Sequence, residues 1–254
     1  MKILFKIIDK ININILTYPF IIISCLLGQA KLILMYYYIA IVHELFHLLA
    51  CKIFKIDIIS FDLLPFGVSM KVDKIDNIHS LKQIIIYIAG PMSMLINMLV
   101  FSFLYRYKII NDINYNYLSK INVLMALINL FPIFPLDGYK IFNNILNNIF
   151  PYKKSLKISM IISCVFFMFF VCINFISNQF SLTLFLLFEQ IKNIIGFKSI
   201  YKKFLVSKTK LVKLKKYKFI KNFQMYKDIN NYQIENDKIL NDFDIATSEL
   251  RRYI

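Results

Sequence analysis

The chain contains few residues of several types, and each shortage excludes certain kinds of protein or of site. Its four cysteines lie in apolar stretches and none has C-x-x-C spacing, so neither a disulfide framework nor a cysteine-ligated zinc site is predicted. Tryptophan is absent, and there are only five glycines and six prolines in 254 residues. With the heavy use of Ile, Asn, Lys, Phe and Tyr, this composition is typical of an AT-rich genome. Fine differences in residue propensity therefore carry little weight.

Acidic residues are also scarce: 15 stand against 31 basic residues, for a net charge of +16. The region from Lys192 to Lys227 holds twelve lysines and no acid, and six acids follow between Asp228 and Glu249. Lysines directly after a membrane span suit an anionic inner leaflet, at about 1 kcal/mol each. No RNA module or DNA-reading motif accompanies them, so nucleic acid is not a predicted partner. Residues 198–254 are predicted to be a basic and then acidic cytoplasmic tail along the membrane.

Apolar residues are abundant instead, at 58% of the chain, and the mean hydropathy is +0.59. Several runs approach or reach the roughly 20 residues that a helix needs to cross a bilayer. We expect an all-α polytopic membrane protein with about six transmembrane helices and a small β-hairpin, in a domain of residues 1–197. The predicted spans are residues 11–27, 32–51, 83–105, a fourth that begins near 118, 158–176 and 180–195.

The amino-terminal segment has two interpretations. Lys2, Lys6 and Lys10 precede the apolar run 11–27, which ends in Gly28-Gln29-Ala30, an order that resembles a cleaved signal peptide. A retained helix is favoured because the run approaches spanning length and a second span follows at once. Both interpretations stay open.

Two of only three histidines lie in the sequence His43-Glu44-Leu45-Phe46-His47, within the apolar run 32–51. Helix positions i and i+4 share one face, so both imidazoles can reach one metal ion. Glu44 is rotated by about 100° from His43, too far to be a natural third ligand but near enough to contact a water held by the metal. The pattern is typical of a zinc hydrolase, with two ligands and a base.

The alternative is that these histidines are hydrogen-bonded core residues, since a short motif can match by chance. Ionisable groups inside a membrane span cost at least about 2.5–3.5 kcal/mol each, so they rarely persist without a function. Glu44 stands at that depth beside both histidines. The metal site is therefore the favoured interpretation.

Residues 56–72 change their hydrophobic period after the metal motif. Apolar and polar residues alternate from Val68 to Asp73, and Pro65-Phe66-Gly67 interrupts the run, which predicts two short strands around a turn. A plain amphipathic loop is the alternative. The free edge of a hairpin could pair with an extended substrate backbone.

The third predicted span contains Ala89-Gly90-Pro91. Small residues let helix backbones approach closely and proline kinks the axis. We therefore expect this span to pack against the helix of the metal motif.

The stretch from Asn129 to Gly138 ends the fourth predicted span. Pro132 and Pro135 cannot continue a regular helix, so the backbone breaks at membrane depth, which is tolerated only in protein or beside a cavity. Asp137 is the only acidic residue in this stretch. A carboxylate beside two histidines would complete three protein ligands and leave a fourth zinc position for water. The alternative for Asp137 is a helix cap or turn residue.

The distribution of lysines predicts the orientation. With six spans, the short segments on the side of the termini carry twelve lysines, against four basic residues opposite. Positive residues stay inside, so both termini, the hairpin and the tail should be cytoplasmic, in a bacterial inner (cell) membrane. The metal would lie roughly 6–12 Å below that surface.

Together, the motif at 43–47, Ala89-Gly90-Pro91 and the stretch 129–138 resemble the site-2 protease family of intramembrane zinc metalloproteases, over about residues 1–195. The compact six-span form is similar to the sporulation branch, which removes the membrane-associated pro-segment of a sigma-factor precursor. This resemblance implies that one zinc ion is bound and that a membrane-associated protein is cleaved near the cytoplasmic face. The bilayer and regulatory membrane proteins are the other implied partners. The implied site residues are the zinc ligands His43, His47 and Asp137, the general base and later acid Glu44, and the substrate-binding residues Asn129, Pro135, Phe66 and Gly67.

Two departures and two alternatives accompany the resemblance. Met94 stands where the family often has the Asn of G-P-x-x-N. The segment after Lys198 is short and charged for a complete nucleotide-sensing CBS domain, so regulation by ATP stays open. The substrate could instead be an anti-sigma factor or a remnant signal peptide. A non-catalytic metal-binding or transport protein is the other alternative, but a transporter should repeat ionisable residues along several spans.

Overall fold

The structure is a computed structural model. It describes residues 11–15, 17–65, 67–72, 75, 78–177, 180–209, 216–220, 223–235 and 238–252. The chain divides into two compact units, one of residues 1–75 and 85–130, and one of residues 76–84 and 131–254. Most described residues are helical, as predicted.

The first unit contains three long helices and a small sheet. Its elements are β1 (Ile11–Ile13), α1 (Thr17–Leu26), α2 (Ala30–Ile53), β2 (Ile58–Leu64), β3 (Gly67–Val72), α3 (Ser80–Arg106, whose first five residues belong to the second unit) and α4 (Asp112–Leu130). Strand β2 lies between β1, which is parallel to it, and β3, which is antiparallel and pairs Met70 with Phe61. The predicted hairpin is confirmed, and a third strand extends it.

The hairpin lies along α2. At its open end, Ile58 and Val72 pack against the buried cluster formed by Ala50 and Cys51 of α2 and Ile86 of α3. At its turn, the Tyr37 hydroxyl donates to the carbonyl oxygens of Leu64 at 2.9 Å and of Pro65 at 3.2 Å. Cys51 and Tyr37 are separated by about 21 Å along the helix axis at 1.5 Å per residue. The hairpin therefore runs beside α2 past both histidines.

The first predicted span is wrong in its bounds. Residues 11–13 form a strand, and α1 has ten residues, too few to cross roughly 30 Å of hydrocarbon. The physical reason is the sheet: the Asn14 amide and the Thr17 hydroxyl both donate to the Leu63 carbonyl, at 3.0 and 3.1 Å. A local apolar pattern cannot reveal this distant partner.

Two asparagines join α3 to α4 inside the first unit. The Asn97 side-chain amide donates to Oδ1 of Asn122 at 3.0 Å, and Asn122 donates to the Met94 carbonyl at 3.0 Å. Both asparagines are about 1% exposed. Ile39 of α2, Phe101 of α3 and Leu118 of α4 form one buried apolar cluster. Polar and apolar contacts therefore both hold α3 against α4.

The second unit contains three helices followed by a folded module. Its elements after residue 131 are α5 (Asp137–Ile149), α6 (Tyr152–Ser177), α7 (Phe180–Lys208), β4 (Tyr217–Phe219), β5 (Asn230–Glu235), β6 (Lys238–Leu240) and α8 (Asp242–Arg251). Strand β5 pairs with β4 in parallel and with β6 antiparallel. Tyr152, Tyr201, Phe204, Met225 and Ile245 share one buried cluster. Helix α7 runs to Lys208, so it continues ten residues beyond residue 198, where the tail was predicted to begin.

Three helices are long and apolar enough to cross a membrane within the described part of the chain. They are α2, α3 and residues Tyr152–Cys172 of α6. These correspond to the second, third and fifth predicted spans. The total of about six stays a prediction, and the loop predicted near Asn178 lies outside the described residues.

Candidate metal centre

Helix α2 brings the two histidines of the motif together. Their Nε2 atoms are 3.1 Å apart, and His43 and His47 are 6% and 4% exposed. Two nitrogens at about 2.0–2.1 Å from a tetrahedral zinc ion lie about 3.3 Å from one another. The spacing of the two Nε2 atoms therefore fits one zinc ion.

The protonation of His47 also suits a metal ligand. Its Nδ1 lies 2.7 Å from the carbonyl oxygen of Ile86 in α3. A carbonyl oxygen can only accept, so the proton of the neutral ring is on Nδ1 and the lone pair is on Nε2. Metal-ligating histidines are commonly oriented by such a hydrogen bond.

Gly90 of α3 lies directly against both imidazoles. A Cβ atom added at Gly90 would lie 2.6 Å from Nε2 of His43, and nearer still to the His47 ring. Any other residue would force these rings to move. The predicted close packing of α3 on the metal helix is confirmed, and it occurs at the nitrogens that would bind the metal.

Glu44 completes a cluster of three potential metal-binding groups. One carboxylate oxygen and one nitrogen of each histidine all lie within 4.8 Å of one another, and Glu44 is half-buried. It is the one such cluster of His, Cys, Asp and Glu among the residues that the structure describes. A carboxylate at this distance can reach a water held at the metal.

Asp137 lies in the second unit, as the first residue of α5. It is 4% exposed, and its Oδ1 is 3.2 Å from the Lys140 ammonium. The preceding residues 131–136 are not helical, as Pro132 and Pro135 predict, and Pro135 is half-buried. A helix N-terminus also favours a carboxylate. The role of Asp137 as a third metal ligand stays a prediction.

The other predicted site residues have local partners. The Asn129 side chain donates to the Met125 carbonyl one turn earlier in α4, at 2.9 Å. Gly67 begins β3 with φ of +136°, a conformation that favours glycine. A Cβ atom added at Gly67 would lie 3.6 Å from the Tyr36 hydroxyl. Phe66 lies outside the described residues.

The carboxylate of Asp62 in β2 bonds to side chains of both neighbouring strands of the sheet. Asp62 of β2 accepts from Asn12 of β1 at 3.1 Å and from Ser60 at 3.0 Å, and pairs with Lys71 of β3 at 2.5 Å. Burial opposes ionisation, but the hydrogen bonds from Lys71, Asn12 and Ser60 and the Lys71 charge outweigh it and lower the pKa of the Asp62 carboxyl. The ionised form therefore stabilises the sheet.

Sequence reasoning missed two features of the first unit, one of them at a histidine. One is the Ile86 carbonyl, which holds His47; residue 86 lies one turn before Gly90 and so on the same helix face, which was the available signal. The other is the pair Asn97 and Asn122. It joins α3 and α4 close to Met94, where the expected asparagine is missing.

Comparison with known proteins gives concordant matches. The profile described as Peptidase family M50 matches residues 112–173. Stage IV sporulation protein FB of Bacillus subtilis is 26% identical over 157 residues, which cover 62% of this chain and 54% of that protein. Zinc metalloprotease MJ0392 of Methanocaldococcus jannaschii is 33% identical over 133 residues, or 51% of this chain and 38% of that protein. The chain thus spans about half the length, or less, of these curated relatives.

One solved structure is similar over most of both chains. It is the Site-2 Protease from Methanocaldococcus jannaschii, with a TM-score of 0.57 and 25% sequence identity. The match covers 81% of this chain and 93% of that one.

Proposed function

Because this chain belongs to the site-2 protease family, Peptidase family M50, we propose that it is a zinc-dependent intramembrane endopeptidase. The observation that carries the proposal is the histidine pair, whose Nε2 atoms are 3.1 Å apart and buried. The His47 tautomer and the space left by Gly90 support the same function. In this proposal one zinc ion is held by His43, His47 and Asp137.

Glu44 would move the protons of the reaction. When bound, zinc would supply Lewis acidity and lower the pKa of a bound water from its value in bulk solvent towards about 7. Glu44 takes the proton of the attacking water and returns it to the leaving amine of the cleaved peptide bond. Its half-buried position within 4.8 Å of the histidine nitrogens supports this role.

Strand β3 would hold the substrate extended. A transmembrane helix hides its carbonyl groups in its own hydrogen bonds, so it must unwind before cleavage. In the described sheet, β2 is covered by β1 on one edge and by β3 on the other, so β3 is an edge strand. The hairpin runs along α2 from Cys51 to Tyr37 and passes the histidines. Addition of a substrate strand to β3 would place its backbone beside them. Asn129, Pro135, Phe66 and Gly67 are the proposed substrate contacts.

Similarity to Stage IV sporulation protein FB of Bacillus subtilis supports a role in sporulation. We infer that the substrate is a membrane-associated sigma-factor precursor, cut near the cytoplasmic face of the inner membrane during sporulation. An anti-sigma factor or a remnant signal peptide is the alternative substrate. The excess of lysine in the short segments on the side of the termini supports cytoplasmic termini.

Replacement of Glu44 by glutamine tests the proposed chemistry. The E44Q variant should retain one zinc per chain but lose cleavage of a co-expressed, membrane-tethered sigma-factor precursor by roughly 10²–10⁴-fold. Immunoblotting measures the cleavage and elemental analysis measures zinc. Glu189→Gln is the matched control, because Glu189 pairs with Lys192 on α7. Cleavage by E44Q at the wild-type rate would contradict the proposal.

A further inference from the structure

The turn before Asp137 leaves backbone groups that need partners. Residues 131–136 are not helical, so the peptide groups of this turn lack the regular hydrogen bonds of a helix. Buried backbone groups without a hydrogen-bond partner are costly. Within the turn, the Leu136 amide donates to the Ile133 carbonyl at 2.8 Å. Phe134 finds its partners elsewhere.

Both polar backbone groups of Phe134 are bound by side chains of the next two helices. The Phe134 amide donates to the hydroxyl oxygen of Ser163 in α6 at 2.9 Å. The Phe134 carbonyl accepts from the side-chain amide of Gln190 in α7 at 3.4 Å. The same Gln190 amide also donates to the Ser163 hydroxyl. Three groups from three segments therefore form one closed hydrogen-bonded unit.

The two side chains of this polar unit are buried beside apolar residues. Ser163 is fully buried and Gln190 is 3% exposed. Next to them, Ile133 of the same turn is buried against Phe167 of α6 and Leu186 of α7. Apolar packing alone could have filled this space, whereas buried polar side chains cost free energy unless they are hydrogen-bonded. Their presence indicates that the exact position of the Phe134 backbone matters.

We propose that Ser163 and Gln190 are positioning residues for Asp137. They fix the backbone of Phe134 three residues before the carboxylate and so set the direction from which Asp137 meets the metal. The inference rests on the proposed function, in which Asp137 is the third zinc ligand. Groups that orient a metal ligand typically change metal affinity or activity by about 10–100-fold when they are removed.

Ser159 offers a matched control one turn earlier on the same face of α6. It is also fully buried. Its hydroxyl donates to the Leu156 carbonyl at 2.9 Å within α6, and it contacts Asn143 at 3.2 Å and the Tyr139 hydroxyl at 3.4 Å, both in α5. All of these partners lie outside the turn 131–136. A Ser159→Ala change therefore removes a buried hydroxyl from the same helix and leaves the hydrogen bonds of the Phe134 backbone in place.

The experiment uses all 254 residues of the chain, purified with zinc and placed in nanodiscs. The variants are Ser163→Ala, Gln190→Met, Ser159→Ala and Asp137→Asn, with Ser163→Thr as the rescue variant that keeps a hydroxyl. Competition with a chelator of known affinity measures zinc binding, and steady-state cleavage gives kcat and KM. Thermal unfolding reports the stability of each variant.

We expect Ser163→Ala and Gln190→Met to weaken zinc binding by about 10–100-fold and to lower kcat with KM unchanged. Ser163→Thr should restore most of the zinc affinity and most of kcat. Ser159→Ala should change neither the zinc affinity nor kcat. If Asp137→Asn keeps full zinc affinity, the proposed metal site itself is wrong. If Asp137→Asn weakens binding but Ser163→Ala and Gln190→Met do not, only the positioning role is wrong. An equal loss in Ser159→Ala would show a general packing effect and overturn the proposal.

Discussion

The two regions that supply the proposed zinc ligands are built by opposite means. His43 and His47 are placed by a single turn of α2, and their neighbour Gly90 contributes by having no side chain. Asp137 follows an irregular turn whose backbone is held by Ser163 and Gln190. A ligand on a regular helix needs a neighbour that leaves space. A ligand after a broken segment needs neighbours that bind it.

The most disruptive test removes one ligand from each region. His47→Ala and Asp137→Ala should both lose tightly bound zinc, with activity reduced on the order of 10³-fold or more, because Lewis-acid stabilisation is worth several kcal/mol. Elemental analysis and a cleavage assay measure the two effects. Leu49→Ala is the control, since Leu49 lies on the exposed side of α2. Retention of zinc in Asp137→Ala would mean that only the helical region binds metal.

A smaller loss is expected when the space beside the histidines is filled. Gly90→Ala should weaken zinc binding by about 10–100-fold, because the added Cβ displaces the ligand rings. Gly196→Ala is the matched control within α7, where a Cβ meets only the end of Ile200 at 3.9 Å. That change should be neutral or stabilise the helix by up to about 1 kcal/mol. Equal zinc affinity in both variants would contradict the role assigned to Gly90.

Loosening the hairpin should affect substrate more than metal. Tyr37→Phe removes the hydroxyl that binds the Leu64 and Pro65 carbonyls, a loss of about 1 kcal/mol. We expect KM to rise about fivefold, as that free energy implies, with zinc content unchanged. Tyr38→Phe is the control, because Tyr38 is exposed and packs beside Phe101. An unchanged KM in Tyr37→Phe would argue against substrate addition to β3.

The smallest effect is expected at the asparagine pair of the first unit. Replacing Asn97 and Asn122 singly and together by alanine, in a double-mutant cycle, should give a coupling free energy of about 0.6 kcal/mol, as is typical inside membranes. Thermal or denaturant unfolding in a lipid environment measures it. Zinc affinity should stay at the wild-type value. A loss of zinc in these variants would show that the α3–α4 contact also supports the metal site.

Features that depend on local patterns were predictable from the sequence. The i, i+4 spacing of His43 and His47, the alternation that begins at Val68 and the small residues around Gly90 each specify a contact through helix or strand geometry. The structure confirms all three.

Features that depend on distant partners were not predictable in the same way. Strand β1 forms because of contacts with Leu63, about fifty residues later. The carboxy-terminal module folds onto α6 and α7 through contacts such as the Tyr152 amide with the Met225 carbonyl at 2.9 Å. The lysine-rich composition of that segment obscures any simple hydrophobic period. Local signals therefore identify the histidine region but not the supports of Asp137.

The three-stranded sheet of the first unit has a consequence for turnover. In the proposed function a substrate strand adds to the free edge of β3, and the fragment left after cleavage would still be paired there. Its departure must precede the arrival of the next polypeptide. On the proposed function, we therefore expect short extended peptides that mimic the released product to compete with substrate and to slow cleavage, with the zinc content unchanged.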